Sequence, residues 1–402
     1  MKKSLLLSIA ASAVVFAGGD IAPVQPVQPT AAPAACDFWG TLAFRYDANK
    51  KASGADKFFK ADDRGALAIV MGVEKELGYG FGFGAEVAGL MAFNNKLDKV
   101  GEAAEISQLY LTYKVGNTAI KAGRQALPKA VSPWAWSDRT AGILDTTFNG
   151  VTVVNTDIQN TTLVAAWLRS FNVGIAAVPG IGVFDIDSLG SVKIGDKGVF
   201  MLGALTKVSN VDLSFAGYYI PDLAPSVNAK SVWAAAETKL DSVDLGLQVA
   251  YAKIDGLKST LGIAAYVGTT YNALDAKLTL AYINDGASPL NGVGALTGGL
   301  QGTSGFWGNS FAGAFGGETV SGNKQKIARI DLGYKIDGYG KVYGGIGVDK
   351  PDTGKTTVGG RIGYDFKVMD VNAKIEYRYI KNKGFVKDND EHRIRVQGVY
   401  KF

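Results

Sequence analysis

Cysteine and histidine are almost missing: the 402 residues contain one of each. A single cysteine excludes a disulfide framework and a cysteine-rich zinc site, and a single histidine excludes a multi-histidine metal centre. Charge is sparse as well, at 20%, and Lys+Arg 42 against Asp+Glu 37 leaves a formal net charge of only +5. That balance gives no strongly basic footprint, and no nucleic-acid partner is expected. At 47% hydrophobic the chain is nevertheless too apolar to be disordered. Beyond residue 17 no stretch approaches the roughly 20 apolar residues of a membrane helix. Apolar content without apolar runs has to be distributed by period.

The N-terminus stands apart. Lys2 and Lys3 precede an apolar run from Leu5 to Phe16, followed by Ala17. A charged start, a short greasy segment and small residues at a cleavage position predict a signal peptide over 1–17, so export is expected. Residues 18–36 hold four of the eleven prolines. Proline fixes φ and lacks a donor, so this reads as an extended periplasmic leader, ending in Cys36 as an unpaired thiol.

From Asp37 to Phe402 the pattern is alternation. At the C-terminus Ile394, Val396, Tyr400 and Phe402 share one parity, while Arg393, Arg395 and Gln397 share the other. Successive side chains on a strand point to opposite faces, so one face is greasy and the other polar. Such segments predict strands at 37–47, 63–77, 79–93, 104–115, 118–125, 147–157, 160–171, 198–206 and 210–220. Nine more follow at 227–240, 242–254, 260–269, 271–283, 326–336, 338–348, 356–367, 370–380 and 391–402.

The connections between these eighteen segments alternate between tight turns and longer loops, as in an outer-membrane barrel. The seven prolines outside the leader all fall in predicted loops, in keeping with their inability to donate to a central ladder. A soluble β-sandwich also alternates, but its inward face is apolar. Here the polar face carries too many Lys and Arg to bury, so it must be wet and the greasy face must meet lipid. The fold class expected is all-β: a transmembrane antiparallel up-and-down β-barrel of eighteen strands over 37–402, located in a Gram-negative outer membrane. Membrane lipid and lipopolysaccharide are the expected partners. Outward Tyr46, Tyr113, Trp167, Tyr219, Tyr282, Tyr334 and Tyr364 lie near strand ends, where amphipathic rings suit the membrane–water boundary. Terminal Phe402 with Tyr400 on the same face looks like the signal read by the barrel-insertion machinery.

About 16–18 strands leave an aqueous channel, whereas about 8 are filled by side chains. The expectation is therefore a pore with a polar wall, narrowed by the third long loop, 126–146, folded inward. Lys129, Trp134, Trp136, Asp138 and Arg139 are its constriction candidates, because opposed charges across a narrow bore create a transverse field. Gly123-Arg124-Gln125, Leu127-Pro128, Ser137-Asp138-Arg139 and Thr147-Phe148-x-Gly150 resemble the third-loop region of the OprD-like porins. With the Pro-rich leader and the Trp-x-Trp-Ser-Asp-Arg stretch, the chain is similar more narrowly to the major outer-membrane porins of Campylobacter-like bacteria. The resemblance implies passive diffusion of ions and small hydrophilic solutes through a monomer or a homotrimer. On the inward parity lie Arg45, Arg329, Lys335, Lys341, Arg361, Lys374, Arg378, Arg393 and Arg395, against fewer acids, Asp331, Asp365 and Glu376. This ladder resembles the basic track of OprD-like channels, which implies a weak anion or carboxylate preference. The alternative is a charge-balanced lining that tunes conductance without selecting.

Other signals are weaker. Asp185-x-Asp187-x-Leu189-Gly190, with Asp196 at position twelve, half-matches a Ca2+ loop; Leu189 replaces an oxygen ligand there, and a solvated acidic loop is the competing reading. No cofactor is expected otherwise. Loop 284–325 carries Phe306, Trp307, Phe311 and Phe315, which suit a lid or a subunit contact. His392 lacks a serine or carboxylate constellation, so no enzyme activity is expected. A structural barrel acting as adhesin or anchor is the alternative function.

Overall fold

A computed structural model describes residues 36–51, 63–94, 100–135, 137, 147–172, 192–286, 324–352, 356–383 and 389–402. The signal peptide, most of the leader, Trp136, Asp138, Arg139, Asp185, Asp187 and the aromatic cluster of loop 284–325 lie outside the described residues. The strands are β1 Asp37–Lys51, β2 Arg64–Gly78, β3 Phe81–Asn94, β4 Val100–Val115, β5 Thr118–Gln125, β6 Thr147–Asn155 and β7 Thr161–Asn172. After the two-residue β8 (Val192–Lys193) come β9 Val199–Val208, β10 Val211–Ala224, β11 Val227–Leu240, β12 Val243–Ile254, β13 Thr260–Tyr271 and β14 Leu274–Ile283. The series ends with β15 Gln325–Ile336, β16 Gly340–Pro351, β17 Thr356–Val368, β18 Val371–Lys383 and β19 Asn389–Lys401. Each wall strand pairs antiparallel with its sequence neighbour, β7 with β9, and β1 with both β2 and β19. Leaving out β8, this is a closed ring of eighteen strands. Closure leaves no sheet edge, which hydrocarbon could not satisfy.

The outward parity is apolar all round: Leu42, Phe44, Ile69, Leu111, Leu202, Leu247, Leu280, Ile330, Ile346 and Ile375 are all exposed. Each costs about 1.5–3 kcal/mol in water relative to burial, so the belt calls for lipid around it. No helix among the described residues is long and apolar enough to cross a membrane; the chain crosses with strands. At the rims the rings find polar partners. Trp167 Nε1 donates to the Lys197 carbonyl at 2.9 Å, Tyr364 Oη to the Tyr339 carbonyl at 2.7 Å, and Tyr46 Oη to Asp63 at 2.8 Å. Tight turns use left-handed residues, Ser209 (φ 56), Asp241 (φ 52) and Asn272 (φ 53), which suit the strand twist of short hairpins.

Three expectations need correction. Pro221 lies inside β10 and Pro351 ends β16. The ladder between β10 and β11 shifts register between Ile220 and Ala224, so the N–H that Pro221 lacks is not required there. The expected loop 221–226 consequently shrinks to the turn at Pro225-Ser226. Third, the inner face is not uniformly polar: along β6 to β12 it carries buried Phe148, Val164, Leu168, Met201, Tyr218 and Trp233. These side chains form one buried cluster with Leu127, Val131, Trp134 and Ala135 of the third loop.

The seam between the first and last wall strands is closed by more than its ladder. Gly40 and Phe402 exchange backbone hydrogen bonds of 2.7 and 3.0 Å. The Phe402 ring occupies the space that a Cβ on Gly40 would need. Gly40→Val should therefore expel the ring and loosen the seam. The expected result is a lower temperature for the folded-to-unfolded mobility shift in gel electrophoresis; an unchanged temperature would show that the ring adds nothing.

Candidate functional site

The third loop is positioned by a β-bulge. Register shifts where Glu86 and Val87 of β3 face Gln108 and Ile106 of β4, so Ser107 and Gln108 both turn inward. Both bond to buried Glu86, Ser107 Oγ at 2.5 Å and Gln108 Nε2 at 2.8 Å. The remaining amide oxygen of Gln108 accepts the Ala126 N–H at 2.9 Å, which fixes the point where the loop leaves the wall. The loop then folds back on itself, Ser137 N donating to the Leu127 carbonyl at 2.7 Å.

Its apolar side docks across the bore. Trp134, 1% exposed, stacks on Tyr218 of β10 with centroids 5.8 Å apart and planes at 19°. The Tyr218 hydroxyl lies 3.2 Å from Ser132 Oγ and accepts the Trp134 N–H at 3.3 Å. A Cβ on Gly203 of β9 would come 3.1 Å from the Val131 carbonyl oxygen, so the loop sits directly on the wall. Trp134 thus belongs to the joint between loop and wall and does not face the open bore. Lys129 occupies an exposed turn at the start of the loop. The expected constriction partners Trp136, Asp138 and Arg139 lie outside the described residues.

Nine strands round the ring from β10 stands β19, and there the inner face is cationic. Arg361, Arg378 and Arg393 are successive cross-strand partners on β17, β18 and β19, with Asn49 of β1 next in the row. Like charges placed directly opposite are destabilising, so such a row persists only with compensation. Asp331 takes Arg329 at 2.7 Å and Arg361 at 3.0 Å. Glu376 takes Arg378 and, more loosely, Arg361 at 4.0 Å. Asp47 takes Arg45 at 2.6 Å and Arg395 at 2.7 Å, bracing the seam from within. Arg393 Nε donates to Asn49 Oδ1 at 2.8 Å. Six arginines thus gather round three carboxylates, a positive excess on one side of the bore. Lys341 and Lys374 sit lower, paired with Asp275 at 2.6 Å and Asp365 at 3.6 Å.

One arrangement escaped sequence reading. Three times, an inward tyrosine lies flat over a glycine on the next strand and reaches a glutamate on the strand beyond. Tyr110 crosses Gly84 to Glu74; Tyr266 crosses Gly246 to Glu237 at 2.5 Å; Tyr343 crosses Gly363 to Glu376 at 2.9 Å. In each case the three residues share one cross-strand row. Cations lie over all three rings, Lys121 at 3.8 Å from the Tyr110 centroid, Lys277 at 3.5 Å from that of Tyr266, and Arg361 and Lys374 at 5.4 and 5.6 Å from that of Tyr343. The signal was present as inward Gly and Tyr at matching parity, but register across three strands has to be known before they align. Asp196 donates its backbone N–H to the Asp222 carbonyl at 3.0 Å. Among the described residues no three metal-ligating side chains converge.

No family model matches the chain, and no curated protein matches it in sequence. Solved structures do match in shape. The crystal structure of OpdO from Pseudomonas aeruginosa superposes with a TM-score of 0.66 at 16% identity, covering 91% of this chain and 97% of that one. OpdK of the same organism gives 0.64 at 12% identity, covering 91% and 99%. A BenF-like porin from Pseudomonas fluorescens gives 0.63 at 14%, covering 91% and 99%. The protein has the fold of these structures: a closed eighteen-stranded antiparallel β-barrel with an apolar outer face.

Proposed function

We propose that the protein is an outer-membrane porin for passive diffusion of ions and small hydrophilic solutes, with a weak preference for anions and carboxylates. The observation that carries this reading is the arginine row on β17 to β19, set across the bore from the docked third loop. A water-filled bore in a low-dielectric wall focuses the field of its lining charges, so a positive excess on one side enriches anions there. Carboxylates suit the row because guanidinium groups bind them in a two-pronged geometry. Lys129, Asp138 and Arg139 would complete the constriction from the loop side. Anion preference is only weak in this reading, because three acids share the same wall.

Single channels in planar bilayers under a KCl gradient test both parts. The expected reversal potential has the sign for chloride passing more readily than potassium. The opposite sign overturns the preference, and absence of current from protein that migrates as folded barrel overturns the channel itself. The apolar packing along β6 to β12 favours one rival, a plugged barrel serving as anchor or adhesin. Liposomes that swell in isotonic small sugars and amino acids would exclude it.

A further inference from the structure

On the periplasmic side of the arginine row the bore opens into a recess of about 640 Å3, bounded by the turn-proximal halves of β10 to β18. Its depth comes from glycine. Lys341 lies across the place a Cβ on Gly333 would occupy and so reaches Asp275 two strands away. Arg361, Gly345 and Asp331 share one cross-strand row, and Arg361 reaches past Gly345 to Asp331. Tyr266 and Tyr343 lie flat over Gly246 and Gly363. Long side chains that would otherwise project into the bore are laid along its wall, and the space above them stays open.

Apart from Arg361 and Asp331, which it shares with the arginine wall, the charges lining this recess differ from those above it. Asp212, Glu237, Asp244, Asp275, Asp331 and Asp365 face Lys239, Lys277, Lys341, Arg361 and Lys374, six acids against five cations. They are organised as pairs bridging strands: Lys341–Asp275 at 2.6 Å, Arg361–Asp331 at 3.0 Å, Lys239–Asp244 at 3.4 Å and Lys374–Asp365 at 3.6 Å. An anion entering such a set takes a cation from its carboxylate and leaves that carboxylate uncompensated; a cation does the reverse. Leaving one partner of a pair alone is the costly outcome. A solute carrying both signs can engage both partners at once, and the recess stays balanced.

We propose that this recess is a binding site for small zwitterions, molecules bearing an ammonium and a carboxylate a few bonds apart. The Asp275–Lys341 and Asp331–Arg361 pairs are its main contacts, and Tyr266 and Tyr343, with Lys277, Lys374 and Arg361 lying over them, form its floor. The site lies in the bore taken above as the conduction path, but occupancy does not depend on conduction.

Saturation-transfer NMR on the full chain, folded in detergent micelles, tests it with three probes of matched size: L-alanine, propionate and isopropylammonium. The expected result is saturable alanine binding several-fold tighter than that of either singly charged probe. Asp275→Asn should weaken alanine binding about tenfold, the equivalent of roughly 1.4 kcal/mol, without weakening propionate. Asp331→Asn, on the neighbouring pair, should repeat the loss if the first variant folds poorly by gel mobility. Propionate binding as tightly as alanine, or alanine binding indifferent to both substitutions, overturns the proposal. Loss of bilayer current with alanine binding intact would count against the channel reading and leave this one standing.

Discussion

Replacing Tyr218 with alanine should raise the single-channel conductance. Its ring stacks on Trp134 and its hydroxyl contacts both Ser132 and the Trp134 backbone, so it joins the loop to the wall through three contacts. Truncating a buried aromatic costs about 3–5 kcal/mol, and each hydrogen bond adds about 1 kcal/mol. Gln108 fixes the start of the loop and the Leu127–Ser137 bond closes it on itself, so among the described residues Tyr218 supplies its hydrogen bonds to the β10 wall, beside the apolar packing of Leu127, Val131 and Ala135. Freed from the wall, it should both widen the narrow section and fluctuate through it. Bilayer recordings are then expected to show a higher mean current with added flicker. Tyr218→Phe keeps the stack and loses the hydroxyl, and should give a smaller change in the same direction. If both variants conduct as the parent does, the third loop does not set the constriction.

The second large effect is expected at Asp47. Its carboxylate is shared by Arg45 and by Arg395 across the seam, with Arg393 one row away. Asp47→Ala leaves these guanidiniums facing one another, and removing one partner of a buried pair costs about 3–5 kcal/mol. Water in the bore and chloride binding should relieve part of that cost. The gel mobility shift is therefore expected at lower temperature in low salt, with partial recovery in high salt as the repulsion is screened. The same substitution removes a negative charge from the arginine wall, so the reversal potential in a KCl gradient should move further toward chloride. A shift toward potassium would contradict the proposed field.

Much of the wall was legible beforehand, because period two is a direct consequence of a strand between lipid and water. Thr118–Gln125 and Val227–Leu240 were delimited to the residue, and the turn at Gly116-Asn117 falls where the alternation breaks, whereas β13 runs on to Tyr271, past its expected end at residue 269. Pro221 was misread because its cost depends on the partner strand: a register shift at Ile220 makes its missing donor harmless, and no single-strand pattern reveals a register shift. The apolar lining along β6 to β12 was missed for a related reason. Ala, Val, Phe and Met on an inward parity can face either water or a folded-in loop, and only the position of Trp134 against Tyr218 decides which. The arginine wall could be listed from parity alone. Part of its compensation was within reach as well, since Arg45–Asp47, Arg329–Asp331 and Arg378–Glu376 are neighbours two residues apart on one strand; the Arg361–Asp331 and Arg395–Asp47 pairs, which join residues two strands apart or across the seam, were not.

The tyrosine–glycine–glutamate rows bear on how the cylinder resists being squashed. Each acts as a tie-rod riveted across three staves, at β2 to β4, β11 to β13 and β16 to β18, while the Asp47–Arg395 clasp covers the join. The arc from β5 to β10 has no such rod among the described residues, and it is there that Trp134 and its neighbours buttress the staves from inside. The plug and the rods thus divide one mechanical duty between them. A barrel deprived of its inner buttress should flatten toward an oval along that arc alone.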